Sequence, residues 1–204
     1  MDDSQRPLTT LGHSVSAAYL QGLLDHFERL GLDPKALLDQ VGLSPAALTR
    51  REQRVAASVY LEVLDAGLRL TDDPLLGLHL GEAVRPGYYG VLGFLLMSCA
   101  TLADALHRHA RYTELVGSLG WVELADEPAE SLEEAQVALT WRAQLVLPAQ
   151  QHWQLADETL AGWVTFGRSI TGPQFSPSLV RFQHAEPADL SEYQRIFCCP
   201  LLFN

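Results

Sequence analysis

Apolar residues recur at helical spacing through the first half of the chain. Leu20, Leu23, Leu24, Phe27 and Leu30 fall three and four apart behind Ser14 and Ser16, lining one face of a helix that Gly31 ends. Asp33-Pro34 opens a short second helix through Leu37, Leu38 and Val41, closed by Gly42, because a first-turn proline lacks only an N–H that would stay unbonded anyway. Ser44-Pro45 is another capped start. Val59, Tyr60, Val63, Leu64, Gly67 and Leu68 repeat the period over residues 56–70, and Asp73-Pro74 begins a further turn or two through Leu80. After a turn-rich connector at 84–90, the stretch 91–98 is apolar all round, which predicts a central helix rather than a surface one. Thr101 then stands as an N-cap with Asp104 in the capping-box position, ahead of Leu102, Ala105, Leu106, His109 and Tyr112.

Beyond Gly120 the period shortens to two. Trp121 to Leu124 is strand-like, an acidic loop covers 126–134, and Val137, Leu139 and Trp141 alternate with Ala138, Thr140 and Arg142, which predicts a hairpin with a long loop. A helix over 149–170 follows with Leu155, Thr159, Trp163 and Phe166, ended by Gly172-Pro173. Residues 179–184 read as a third strand, Asp189 or Ser191 starts a last short helix through Phe197, and 200–203 begin a fourth strand.

These elements predict an α+β protein, a helical N-terminal lobe packed on a small antiparallel sheet with helices on one face. The expected organisation is a flexible N-terminus at 1–15, a helical lobe at 16–118 and a mixed α/β lobe at 119–204. The 48% hydrophobic content fits an ordered chain able to bury its own core without staples.

Charge then narrows the function. A net charge of −11 repels phosphate backbones on average, and lysine occurs once, at Lys35, so no basic stripe exists to bind nucleic acid. The acidic, polar N-terminus lacks the charge and apolar run of a secretory signal, and no stretch reaches membrane-spanning length, which points to the cytoplasm. Three cysteines, Cys99, Cys198 and Cys199, form an odd set best read as reduced thiols.

Catalytic and metal signatures are weak. His107 and His109 lie two apart on a helix and face different ways, and His79, His152 and His184 have no partner at ligand spacing; the expected role for His184, at a strand end, is a structural hydrogen bond. No nucleophile elbow occurs, and the glycine-rich 87–93 segment lacks the strand-before-helix setting of a phosphate loop. The expectation is no enzyme, no metal and no cofactor. Residues 37–50 imitate a helix-turn-helix, with two short helices meeting at a glycine and leading to Arg50, Arg51 and Arg54. Asp33, Asp39 and Glu52 dilute that charge, which favours a buried helical hairpin with solvated arginines. The aromatic-rich second half either fills a core or lines a cavity for an amphipathic ligand closed by polar groups. Tyr88, Tyr112, Trp141, Arg142, Trp163 and Arg168 are the candidate lining residues, in a pocket expected between the 91–98 helix and the sheet lobe.

Several stretches taken in order resemble the N-terminal, arabinose-binding-like effector domain of AraC/XylS-type transcription regulators. Residues 89–106, YGVLGFLLMSCATLADAL, resemble that family's Gly-x-x-Gly, small-residue, Thr-Leu-x-x-Ala-Leu signature, with Arg111-Tyr112 following. Asp73-Pro74 with Gly77-Leu78 resembles the preceding element, and Phe182 to Pro187 with Tyr193, Phe197, Cys199-Pro200 and Phe203 resembles the closing strand, helix and strand. The resemblance runs from about Ser16 onward. It implies a domain that senses a small-molecule effector and forms a homodimer, reaching promoter DNA only through a C-terminal helix-turn-helix domain that follows in longer members, beyond the position of Asn204. It names no effector, because members respond to chemically different molecules. The rival reading is a ligand-free protein-interaction or dimerisation module.

Overall fold

The structure is a computed structural model that describes residues 12–50, 52–127 and 136–204. Arg51, most of the acidic 126–134 loop and the first eleven residues of the N-terminal tail lie outside the described residues. The described residues form two units, one drawn from 1–66 and 86–146, the other from 67–85 and 147–204.

In the first unit, β1 (Ser14–Ser16) runs into α1 (Ala17–Arg29), followed by α2 (Pro34–Gln40), a 3₁₀ turn (Pro45–Leu48) and β2 (Arg54–Ala56). Ser16 caps α1 by accepting from the Tyr19 N–H, and Asp33 caps α2 by accepting from the Lys35 N–H, the polar-before-apolar starts that the sequence announces. β1 and β2 pair antiparallel with Val15 opposite Val55, both fully buried. After α3 (Ala57–Thr71), within which the division falls, this unit resumes with a 3₁₀ turn (Pro86–Tyr89) and α5 (Gly90–Met97), α4 belonging to the other unit. α6 (Leu102–Tyr112) follows, opened by Thr101 accepting from the Asp104 N–H. The hairpin of β3 (Gly120–Glu127) and β4 (Gln136–Ala143) is antiparallel with Val122 opposite Trp141, and β3 packs against α6.

α5 departs from the expectation of a central helix. Leu92, Gly93 and Leu96 are buried, whereas Val91, Phe94 and Met97 are 58%, 64% and 54% exposed. Residues three apart share a helix face, so an eight-residue helix apolar all round buries one side and leaves the other as a hydrophobic stripe.

In the second unit, α4 (Leu76–Glu82) crosses α7 (Ala149–Thr171) at close range. Gly77 and Gly81 make that possible: a Cβ on Gly77 would meet the Gln154 carbonyl, and one on Gly81 the Glu158 carbonyl. The Leu75 N-cap offers α4 no side-chain bond. Gln154 of α7 supplies it, accepting from the Gly77 N–H at 2.5 Å and donating to the Pro74 carbonyl at 2.8 Å. β5 (Val180–Arg181) and β6 (Leu201–Leu202) form a parallel two-residue ladder around α8 (Ser191–Phe197). Leu78, Ala161, Val164, Phe182, Ile196 and Phe197 form the core of this unit. The α+β class holds, with short separate ladders among many helices. Among the described residues no helix is long and apolar enough to cross a membrane.

Candidate functional site

A groove of about 530 Å³ opens in the first unit, within the range of pockets that take small molecules. Its floor begins with Tyr89, only 8% exposed, whose ring stacks at 6.4 Å on Tyr19 and lies 6.3 Å from the His109 ring. Tyr19 itself stacks at 5.0 Å on the buried Tyr60, so the floor rests on a rigid aromatic column. Burial holds the His109 imidazole down from 6.5 to about 4, so behind the groove it is neutral at pH 7.

One wall comes from the start of α5, where Gly90 has φ +57° and Val91 faces outward. A second wall is the end of α6 and the 3₁₀ turn after it, giving Arg111, Tyr112, Glu114 and Leu115. Arg111 lies over the Tyr112 ring, its Cζ 5.4 Å from the centroid, a cation–π stack. The third wall is Ser16, Glu52 and Arg54.

Arg54 holds these walls together. Its Nε donates to Ser14 Oγ at 3.1 Å, Nη2 to the Ser14 carbonyl at 2.8 Å, and Nη1 to the carbonyls of Glu114 and Leu115 at 3.2 and 3.0 Å. One planar guanidinium thereby ties β1, β2 and the turn after α6. Burial lowers its pKa and the nearby Glu114 charge works the other way.

Of the six residues expected to line a pocket, Tyr112 is in this groove. Tyr88 packs its ring on Gly22 of α1 and donates to Asp25 Oδ2 at 3.0 Å, pinning the 3₁₀ turn to α1. Trp141 lies against Gly120 across the hairpin, and Arg142 pairs with Glu123 at 3.0 Å on its exposed face. Trp163 and Arg168 belong to the second unit, where Arg168 donates to the carbonyls of Phe175 and Ile196 at 2.9 and 2.7 Å. The sequence reading missed Tyr89, Arg54, Arg111, Glu52 and Glu114 as walls. Tyr89 and Arg111-Tyr112 stood in the family-like signature, a usable signal; Glu52, Arg54 and Glu114 are brought to the groove by the β1–β2 pairing and the Arg54 bonds, over separations no local pattern reports.

The stretch that imitates a helix-turn-helix is α2 followed by a four-residue 3₁₀ turn, with Leu37 and Leu38 buried and Arg50 exposed. Its second segment is too short to be a recognition helix.

The family model described as the arabinose-binding domain of AraC transcription regulators, N-terminal, matches residues 31–204. The chain belongs to that family. Its relatives include the ornithine utilization regulator of Pseudomonas aeruginosa, 24% identical over 193 residues, covering 95% of this chain and 55% of that protein. The HTH-type transcriptional regulator VirS of Mycobacterium tuberculosis is 22% identical over 194 residues, covering 95% and 56%. The crystal structure of the transcriptional regulator CdpR from Pseudomonas aeruginosa shares the fold at TM-score 0.58 and 17% identity, over 91% of this chain and 52% of that one. This AraC-family chain therefore spans about half the length of the relatives it matches. The family is one of transcription regulators rather than an enzyme class.

Proposed function

We propose that this domain senses a small-molecule effector, self-associates, and thereby sets the state of a C-terminal helix-turn-helix half that binds promoter DNA in the cytoplasm. The groove at Tyr89, Tyr112 and Arg54 carries the sensing part of the reading. It is of ligand size, has an aromatic floor on a rigid column, and is bounded by chain segments that one arginine ties together. A ligand gripping Tyr112 and the turn at Thr113–Leu115 pulls on Arg54 and hence on β1 and β2, which gives binding a route into the unit's packing. Such a ligand shifts the domain only by its differential affinity for two arrangements. The exposed Val91, Phe94 and Met97 stripe supports self-association, since contiguous apolar surface marks interaction sites. An acidic sensing module also makes sense beside a DNA-binding half, because it does not compete for phosphates.

Thermal denaturation against a chemically diverse metabolite panel tests this. A ligand that binds only the folded state raises the midpoint by mass action. The expected result is at least one metabolite that raises it in the wild type and not in Tyr112→Ala. Silence across the panel favours the ligand-free interaction module instead.

A further inference from the structure

We infer that the effector of this groove is amphoteric, a small molecule with an amine at one end and a carboxylate at the other, joined by an apolar stem. The inference rests on the sensing reading above and narrows it. Two arginines and two glutamates wall the groove, and their charges are not equally available. The Arg54 guanidinium is engaged with four protein oxygens. Arg111 is held over the Tyr112 ring and makes no hydrogen bond or ion pair among the described residues. Stacking occupies a guanidinium's face and leaves its edge, a fork of N–H donors, free to take a carboxylate in bidentate fashion.

The opposite charge is available too. Neither Glu52 nor Glu114 enters an ion pair among the described residues, although the Glu114 charge acts on Arg54 from a distance, and α6 ends at Tyr112, so the negative end of its dipole falls on the same wall. A protonated amine fits there. Val91 and Leu115 add exposed apolar surface to the lining of the same groove, suited to a short methylene stem. Other ligand classes leave something unsatisfied. A neutral sugar pairs none of the three charged groups, and a fatty acid pairs Arg111 and leaves both carboxylates without a partner. An amphoteric ligand pairs charge of both signs, so the groove favours it over either.

The test is calorimetric titration and thermal shift of the chain with 5-aminopentanoate and L-lysine, set against the half-ligands pentylamine and pentanoate and against glucose. The expected order is 5-aminopentanoate or lysine above either half-ligand, with glucose silent. Glu52→Gln combined with Glu114→Gln weakens the amine-bearing probes at least about tenfold and erases their advantage over pentanoate. Arg111→Gln erases their advantage over pentylamine instead, and all three sites are exposed enough for the fold to survive. The inference is overturned if neither amphoteric probe binds, or if both bind equally well to the glutamine variants. Should the amphoteric probes fail while a neutral or purely anionic metabolite raises the midpoint in a Tyr112-dependent way, sensing stands and the amphoteric ligand falls. Should nothing raise it, both fall.

Discussion

Asp157 is 2% exposed and the groups around it are as dry: His184 at 5% and Tyr193 at 1%. His184 Nε2–H donates to Asp157 Oδ1 at 3.0 Å and Nδ1–H to the Ala185 carbonyl at 2.9 Å, while the Tyr193 hydroxyl donates to Asp157 Oδ2 at 2.6 Å. Both imidazole nitrogens face acceptors, an arrangement that favours the doubly protonated ring beside the carboxylate. Burial alone would pull the His184 pKa down, but the Asp157 hydrogen bond, the Ala185 carbonyl and the Asp157 charge together raise it. The structural hydrogen bond read from the sequence at His184 is there; its partner, 27 residues earlier on α7, was not legible, because no local rule links a helix face to a distant strand end. Asp157→Asn keeps the volume and removes the charge. Breaking one side of a buried pair costs on the order of 3 kcal/mol, so urea denaturation of this variant shows a correspondingly lower midpoint. Nuclear magnetic resonance titration of the ring should move the His184 pKa downward; an unmoved pKa refutes the pairing.

At the scale of elements, α5 carries the main difference from the sequence reading. Periodicity reports which helices have two kinds of face; it is silent when every residue is apolar, so burial of one side and exposure of the other left no trace in the pattern. The amphipathic helices, the capped starts at Ser16, Asp33 and Thr101, and the alternation of β3 and β4 were legible because each rests on interactions within a few residues. The Gly77 and Gly81 crossing was not, since close approach depends on a partner helix more than seventy residues away. The stripe on α5 argues for a testable role. Phe94→Glu places a charge on a side chain that is 64% exposed, so the stability of the monomer itself changes by only about 0.5 kcal/mol. If the stripe seats a second copy, sedimentation velocity shows a dimer for the wild type and a monomer for Phe94→Glu; an unchanged oligomer excludes this face.

Across the whole molecule the two units respond to acid in opposite directions. In the first, His109 is held near 4 against 6.5 for the free side chain, so between those values the unfolded chain takes up a proton that the folded unit refuses. Stability there is present above pH 6.5 and declines on acidification, by up to about 3 kcal/mol once pH nears 4. In the second, His184 has a raised pKa, so its contribution is complete below 6.5 and is lost as pH rises through the folded value. The tryptophans divide two and two, Trp121 and Trp141 in the first unit, Trp153 and Trp163 in the second. Phenylalanine at one pair leaves fluorescence that reports the other unit. Acidification below about pH 6.5 should lower the first unit's midpoint while the second's His184 contribution is already complete, and raising the pH above that value should lower the second unit's midpoint while the first's His109 contribution is already complete; midpoints that fall together on the same side of 6.5 refute the assignment.

The cap that Gln154 lends to α4 also orders events during synthesis. Residues 67–85 leave the ribosome early, yet the N-terminus of α4 is closed by a side chain 77 residues further on. At translation speed that gap is on the order of several seconds. Throughout it, Leu76, Leu78 and Leu80 have no core to enter. The first unit can assemble from chain already made while this apolar segment waits in the nascent polypeptide, a natural target for a chaperone that recognises short hydrophobic stretches.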